Sequence, residues 1–77
     1  MKFAEIKVGQ LLVWEPPNEG FKFYVIIKSI KNTSYKMIEA LPTKIKSPQP
    51  IFFTEGGDFF GFHTLRQPTR EEKLELL

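Results

Sequence analysis

The feature that most constrains this chain is an uninterrupted apolar stretch at residues 21–31, which reads FKFYVIIKSIK. It holds no glycine or proline, and alternate positions give one wholly apolar face, formed by Phe21, Phe23, Val25 and Ile27. Such alternation is typical of a β-strand, whereas apolar residues at consecutive positions would surround a helix. The stretch is longer than an ordinary strand of about 5–6 residues. We therefore expect it to bend and to serve two parts of a sheet.

Four further segments have the composition of short strands. They are residues 11–15, 35–41, 51–55 and 58–63, separated by turn-forming or proline-rich segments. The long strand and residues 35–41 are predicted to form a hairpin. A second hairpin is predicted around Gly56 and Gly57, because a Gly-Gly pair suits the tight hairpin turns. Its register would place Phe53 opposite Phe60 and Phe52 opposite Gly61.

The end of the chain is predicted to be helical. Residues 64–67 are expected to leave the sheet, and Pro68 ends it. Thr69 and Glu72 have the spacing of a capping box, in which each side chain accepts a hydrogen bond from the other residue's free amide. A helix over residues 69–77 is too short to be stable alone. Leu74 and Leu77 are therefore expected to pack on the rest of the domain or on another molecule.

Length and composition restrict the class of protein. A chain of 77 residues is one small domain, and its eight Phe, two Tyr and one Trp supply the apolar area that a small core needs. Without cysteine there are no disulfides. The sequence lacks an apolar N-terminal region and a membrane-length apolar run, so we expect a soluble, cytoplasmic protein with no membrane partner.

These segments predict an all-β fold, a small five-stranded antiparallel barrel over residues 1–68 with a short C-terminal helix over residues 69–77. The opening VGQLL, the long hairpin and the exit LRQPTREE resemble small SH3-like barrels. They resemble in particular the short uncharacterised barrels encoded by phages and prophages. The resemblance covers nearly the whole chain and implies the fold and a viral origin. It implies no activity, because such barrels bind peptides, nucleic acid or ribosomal partners.

Catalytic and metal-binding chemistry is poorly supported, and we predict a non-enzymatic protein without a cofactor. The chain has one histidine, His63, at the end of a predicted strand, and no cysteine. One carboxylate pair, Glu55 and Asp58, flanks a tight turn, and the pair Glu71 and Glu72 begins a helix, where acids suit the dipole. Glu55 and Asp58 alone are too few ligands for a metal.

The leading functional hypothesis is nucleic-acid binding through the central hairpin. Residues 20–50 carry six lysines and one acid, and the remainder of the chain is net acidic. Lysines that contact phosphate, together with an aromatic ring that stacks on a base, form a platform for single strands or RNA. The candidate residues are Lys22, Tyr24, Lys28, Lys31, Lys36, Lys44 and Lys46. Alternatively, these lysines only solvate an outward face.

The rival hypothesis is a protein-binding face, used by a host-protein inhibitor or adaptor or by a homodimer. The predicted second hairpin has phenylalanines on both of its faces, so one set fills the core and the other must be covered by the tail, by the loop, by a second subunit or by a partner. The sequence leaves open which set is core. The candidate contact residues are Trp14, Phe52 and Phe59, although a lone Trp in a small barrel is also a natural core residue.

Overall fold

The computed structural model describes residues 1–44 and 46–75, which form one five-stranded antiparallel sheet followed by a short helix. The elements are β1 Leu11–Trp14, β2 Phe23–Asn32, β3 Lys36–Pro42, β4 Ile51–Thr54, β5 Leu65–Arg66 and α1 Arg70–Glu75, with 3-10 turns at Phe3–Glu5 and Phe62–Thr64. The strand order is β4-β3-β2-β1-β5. The predicted all-β class, five strands and terminal helix are confirmed. The sheet is not closed, because β4 and β5 are its edges.

The long strand β2 serves two parts of the sheet, as its length predicted. Residues 23–26 pair with β1, and residues 25–32 pair with β3. Between the two halves, the register with β3 shifts by one residue at Lys28. This β-bulge increases the local bend and twist of the strand. Beyond the bulge, Ile30 lies opposite the buried Ile38, so both halves of β2 contribute to one core.

The core lies on the inner face of the curved sheet. Completely or almost completely buried there are Leu12, Val25, Ile27, Ile38, Ala40, Phe53 and Leu65. Ile6 from the N-terminal segment and Phe62 join this cluster from outside the sheet. Val13 alternates to the outer face, between Tyr24 and Arg66 in register, and is nevertheless fully buried. The C-terminal segment, which bonds to those two neighbours, covers this part of the outer face.

The predicted second hairpin is wrong. Strand β4 ends at Thr54, and residues 55–60 form a loop rather than a returning strand. Only Gly56 of the two glycines has a left-handed φ, 79°, so the type I′ turn, which needs two, is not formed. Thr54 and Gly61 instead form an isolated parallel bridge, and the Thr54 amide donates to the carbonyl of Phe60. The predicted pairs Phe53 with Phe60 and Phe52 with Gly61 are therefore not formed.

The fifth strand comes from a segment that was expected to leave the sheet. Leu65–Arg66 pairs with Trp14 and Val13 of β1. The chain reaches this position through a close approach of Gly57 and Gly61, where a β-carbon on Gly61 would collide with the carbonyl oxygen of Gly57. A side chain at Gly61 is thus excluded by backbone, and the tight loop replaces the regular strand.

Within the described residues, the side-chain bonds of the helix to the sheet are polar and its leucine, Leu74, is exposed. The predicted capping box is present, since the Thr69 amide donates to Glu72 Oε1 at 2.8 Å and the Glu72 amide donates to Thr69 Oγ1 at 3.2 Å. Leu74 was expected to pack on the domain or on another molecule, but it is 62% exposed in this single chain. Leu77 lies outside the described residues. Among the described residues, no helix has the length and apolar character to cross a membrane.

Candidate interaction surfaces

Trp14 organises an aromatic cluster at one end of the inner side. Its side chain is buried, and its indole N–H donates to the carbonyl of Phe59 at 3.2 Å. The indole stacks with Phe23 at 5.5 Å and with Phe60 at 5.3 Å between ring centroids. It meets Phe53 and Phe59 edge to face. One residue of β1 therefore fixes β2, β4 and the loop at residues 55–60 relative to one another.

Three phenylalanines of this cluster remain accessible to solvent. Phe21, Phe23 and Phe60 are 44%, 36% and 42% exposed, and we call them the aromatic patch. The rings of Phe21 and Phe23 are 5.1 Å apart, and Phe23 and Phe60 are joined through Trp14. Because each ring rests on another ring, the patch is held in place without a ligand. Prearranged aromatic surfaces of this kind lose little side-chain entropy on binding.

An open cavity of about 520 Å³ lies beside the patch. It shares Phe21 with the patch and is lined also by Glu15, Pro16, Pro17, Asn18, Gly20 and Lys22. Asn18 and Gly20 both have left-handed φ angles, 63° and 73°, which turn the β1–β2 connection back on itself. The two prolines further restrict the loop. The cavity is therefore walled by a constrained turn rather than by a freely moving one.

The structure separates the residues that the sequence proposed for protein binding. Trp14 is buried and Phe59 is half-buried against the core, and both contact Phe60 of the aromatic patch. Phe52 is 49% exposed but faces outward from β4, opposite Glu39. Sequence reasoning missed Phe21, Phe23 and Phe60 as contact residues. A signal existed for Phe21, because it belongs to the alternating apolar face of the long strand. Trp14, the last residue of β1, pairs with Phe23, so Phe21 lies beyond the end of β1 and is not covered by it.

A second arrangement lies on the outer face, where α1 meets the sheet. Glu72, only 4% exposed, accepts hydrogen bonds from Arg66 Nη1 and Nη2 at 2.7 and 2.8 Å and from Lys22 Nζ at 2.7 Å. With the backbone amide of Thr69 these groups form what we call the Glu72 cluster. Arg66 also bonds to Glu15 through Nε. Sequence reasoning placed Glu72 in a helix cap and did not assign Arg66 a partner.

The charges of the Glu72 cluster stabilise one another. Hydrogen bonds from Arg66, from Lys22 and from the Thr69 amide hold the pKa of Glu72 well below its ordinary value. The hydrogen bond to Glu72 in turn raises the pKa of Lys22 and of Arg66. All three side chains are consequently charged near neutral pH. This is the behaviour of a structural ion-pair network, in which opposite charges within hydrogen-bond distance favour the charged forms.

Two more of the proposed nucleic-acid residues contact the same helix. The hydroxyl of Tyr24 donates to Glu75 Oε2 at 2.8 Å, and Lys44 Nζ donates to the Glu75 carbonyl at 3.3 Å. Burial, followed by the hydrogen bond to Glu75, raises the pKa of Tyr24. Lys22 Nζ lies 5.8 Å from the centre of the Tyr24 ring, within cation–π range. Lys22, Tyr24 and Lys44 are thus brought together, with Arg66 as an additional cation.

The other four proposed lysines do not extend this group into one surface. Lys28 is exposed at the bulge, with its Nζ 4.0 Å from Glu39, and Lys31 and Lys46 are exposed. Lys31 lies nine residues from Lys22, about 30 Å along the strand at ~3.3 Å per residue. Lys36 follows the inward alternation of β3, and its Nζ lies 5.4 Å from the centre of the Phe3 ring. The seven residues therefore do not share one face.

The remaining polar residues give no arrangement for metal binding. Across residues 1–44 and 46–75, no three His, Asp or Glu side chains are grouped to hold a metal ion. His63 is exposed and lines a shallow cavity of about 420 Å³ together with Phe3, Lys36 and Glu55. The carboxylates of Glu55 and Asp58 are both exposed, and of the two only Glu55 lines this cavity.

Comparison of this chain with protein-family models, with curated proteins and with solved structures gave no match. The resemblance to phage-encoded barrels therefore stays a hypothesis, and any function has to be inferred from the geometry of the chain itself.

Proposed function

We propose that this protein is a protein-binding module whose contact surface is the aromatic patch. The observation that carries the proposal is that Phe21, Phe23 and Phe60 stay exposed although each ring packs against another aromatic ring. Exposed aromatic residues grouped on one surface are typical of interaction sites in soluble domains. Aromatic side chains also dominate the binding energy of protein interfaces.

An extended apolar peptide is the ligand that suits this surface. Ring contacts connect Phe60 through Trp14 and Phe23 to Phe21, and Phe21 also lines the adjoining cavity. A row of rings with an adjoining cavity accommodates successive side chains of an extended segment. Pro-rich segments bind aromatic grooves well, because they lose little conformational entropy on binding.

The proposal includes a finer description of the fold, an SH3-like barrel. The strand order β4-β3-β2-β1-β5, the bend of β2 and the 3-10 turn directly before β5 support it. The parallel bridge between Thr54 and Gly61 brings the ends of the sheet towards each other without pairing β4 to β5. An experimental structure would test whether the gap between the two edge strands is narrow enough for a barrel.

Selection of short random-sequence peptides on the immobilised protein tests the binding function. Synthetic versions of the enriched peptides are then titrated against the protein while the fluorescence of Trp14, the one tryptophan, is followed. Because the indole of Trp14 stacks with Phe23 and with Phe60, a peptide on the patch should alter its emission. We expect apolar peptides, and prolines among their residues, to be enriched.

Matched phenylalanine variants locate the binding surface. Phe21→Ser and Phe60→Ser should each weaken peptide binding by about tenfold or more, as expected for a central aromatic contact. Phe52→Ser removes a ring of similar exposure on the outer face and should leave binding unchanged. Circular dichroism confirms that each variant is folded. The proposal is wrong if no peptide is enriched, or if Phe52→Ser weakens binding as much as the other two.

Nucleic-acid binding is a second candidate function, supported by the group of Lys22, Tyr24 and Lys44 near Arg66. The cation–π contact between Lys22 and Tyr24 places a positive charge beside a ring, as in sites that hold phosphate and stack a base. The candidate is weaker than peptide binding because Glu72 and Glu75 occupy these groups. Fluorescence anisotropy of labelled oligo(dT) and oligo(rU) tests it. Affinity should fall steeply between roughly 50 and 200 mM salt if phosphates are bound.

A further inference from the structure

Helix α1 is a short element whose described attachment to the sheet is polar. It has six residues, fewer than an isolated helix needs for stability in water. Of these, Glu72 alone is buried, and Leu74 projects into solvent. Its side-chain bonds to the sheet run from Glu72 to Arg66 and Lys22, and from Glu75 to Tyr24. The helix is therefore seated on the sheet by two carboxylates.

The side chains that donate hydrogen bonds to these carboxylates are of the types that also bind phosphate. Arg66 presents two N–H groups to both oxygens of Glu72, a geometry that matches phosphate as well as carboxylate. Lys22 adds a third donor at 2.7 Å from the same carboxylate. Tyr24, whose ring lies next to Lys22, offers a hydroxyl and an aromatic face. Tyr24 lies on β2 and Arg66 on β5, with Val13 of β1 between them in register, and Lys22 comes directly before β2.

We propose that Arg66, Lys22 and Tyr24 form a binding site for a phosphodiester of single-stranded nucleic acid, and that Glu72 and Glu75 of α1 fill this site when no ligand is bound. The inference rests on the second candidate function and specifies how it is regulated. Binding exchanges one oxyanion for another at the same donors, so no buried donor is left unpaired. The displaced helix loses its anchor and unfolds, because it is too short to persist alone.

In the proposed exchange of Glu72 for phosphate, the cations of the site are paired with carboxylates as long as no ligand is bound. In the resting protein, the charges of Arg66 and Lys22 are balanced by Glu15 and Glu72. A ligand must replace an intramolecular carboxylate, which acts at a high effective concentration. Removal of the Glu72 carboxylate should consequently strengthen the binding of nucleic acid, whereas removal of a carboxylate outside the Glu72 cluster should not.

The test compares Glu72→Gln with Glu71→Gln in anisotropy titrations with labelled oligo(dT). The two substitutions change net charge equally, but Glu71 is exposed on α1 and Glu72 is buried in the cluster. We expect Glu72→Gln to bind on the order of tenfold more tightly than wild type, a typical coupling between competing sites. Glu71→Gln should bind as wild type does, and adding Arg66→Gln to Glu72→Gln should abolish the gain.

The outcomes separate the regulation from the function. If wild type binds oligo(dT) and Glu72→Gln binds no better than Glu71→Gln, the regulatory role of α1 is wrong although the second candidate function stands. If none of the variants binds oligo(dT) or oligo(rU), both are wrong. Oligo(rU) run alongside distinguishes a preference for RNA from a preference for DNA.

Hydrogen exchange on the wild-type protein gives a result that does not depend on a variant's folding. Addition of saturating oligonucleotide should increase the exchange of α1 amides at residues 72–75, because the helix leaves the sheet. Strand β3, which has no role in the proposed site, serves as the internal reference. Slower exchange of the α1 amides on binding would show that the ligand seats the helix rather than displaces it, and would overturn the proposal.

Discussion

The guanidinium of Arg66 and the carboxylate of Glu72 form a two-point ion pair, with nitrogen-to-oxygen distances of 2.7 and 2.8 Å. It joins β5 to α1 across a connection of only three residues, 67–69. Glu72 is buried, so removal of the arginine would leave a carboxylate with fewer donors in a poorly solvated place. Ion pairs in such positions are costly to break by removing one partner. The pair thus fixes the direction in which the chain leaves the sheet.

Acid should destabilise the protein through Glu72. Its pKa in the folded protein lies well below the ordinary value of 4.5, because Arg66, Lys22 and the Thr69 amide donate to it. The unfolded chain therefore binds a proton that the folded chain does not, and stability falls as pH is lowered from about 5 towards 3. Urea unfolding followed by Trp14 fluorescence at several pH values measures this fall.

Glutamine variants provide the control for this pH dependence. Glu72→Gln should lose less stability than wild type over the same pH range, since glutamine does not titrate. Glu71→Gln, which changes an exposed acid, should keep the wild-type slope. Parallel slopes for wild type and Glu72→Gln would show that this carboxylate does not dominate acid unfolding.

Adjacent phenylalanines on β4 should differ sharply in their contribution to stability. Phe53 is fully buried in the core, whereas its neighbour Phe52 is half exposed on the outer face. Phe53→Ala should lower the free energy of unfolding by about 3–5 kcal/mol. Phe52→Ala should change it by about 0.5 kcal/mol or less. Thermal and urea denaturation compare the two, and similar losses would contradict the assigned faces of β4.

Gly61 should not accept a side chain. Its β-carbon would collide with the carbonyl oxygen of Gly57. Because the obstacle is backbone, no rotamer change relieves it, and we expect Gly61→Ala to lower stability by about 3 kcal/mol or more. At Gly57 the nearest atoms to an added β-carbon lie 3.3 Å away, so Gly57→Ala should cost less. Denaturation midpoints of the two variants test the order, and a reversed order would mean that the loop is folded differently.

Trp14→Phe should loosen the loop at residues 55–60. The substitution keeps an aromatic ring but removes the indole N–H that donates to the Phe59 carbonyl. An unmade hydrogen bond of this kind costs about 1–3 kcal/mol when the acceptor is buried. Circular dichroism in urea measures the loss, and hydrogen exchange should be faster at residues 58–61 than in β3. Tyr35→Phe, at an exposed turn, is the control and should be neutral.

The local sequence predicted those elements whose pattern is complete within a short window. Alternation identified β2 and its turn into β3, and the spacing of Thr69 and Glu72 identified the helix cap. It failed at residues 55–61, where two adjacent glycines favour a hairpin. There the loop makes a long-range contact, the bond from Trp14 to Phe59, which spans 45 residues. A preference of a few residues was overridden by packing around a distant ring.

The candidate sites show the same division. The exposed lysines of the central hairpin follow from charge and alternation alone. The partner of Lys22 does not, because Glu72 lies 50 residues away in the sequence and follows β5, whose pairing with β1 is itself a long-range contact. Likewise, the exposure of Phe60 depends on the loop that Trp14 holds. Sequence patterns identify which side chains carry chemistry, while the long-range contacts decide which of them are available.

The bulge at Lys28 bears on two properties of β2: the face on which its side chains lie and the curvature of the strand. Ile27 and Ile30 both face the core because one unpaired residue is inserted between them. Deletion of Lys28 would leave an unbroken ladder in which every remaining side chain keeps its side. We nevertheless expect the sheet to flatten, because a bulge adds local bend and twist, and Phe53 at one margin and Leu65 at the other to draw apart. The backbone of Lys28 thus contributes to the curvature of β2 independently of the charge of its side chain.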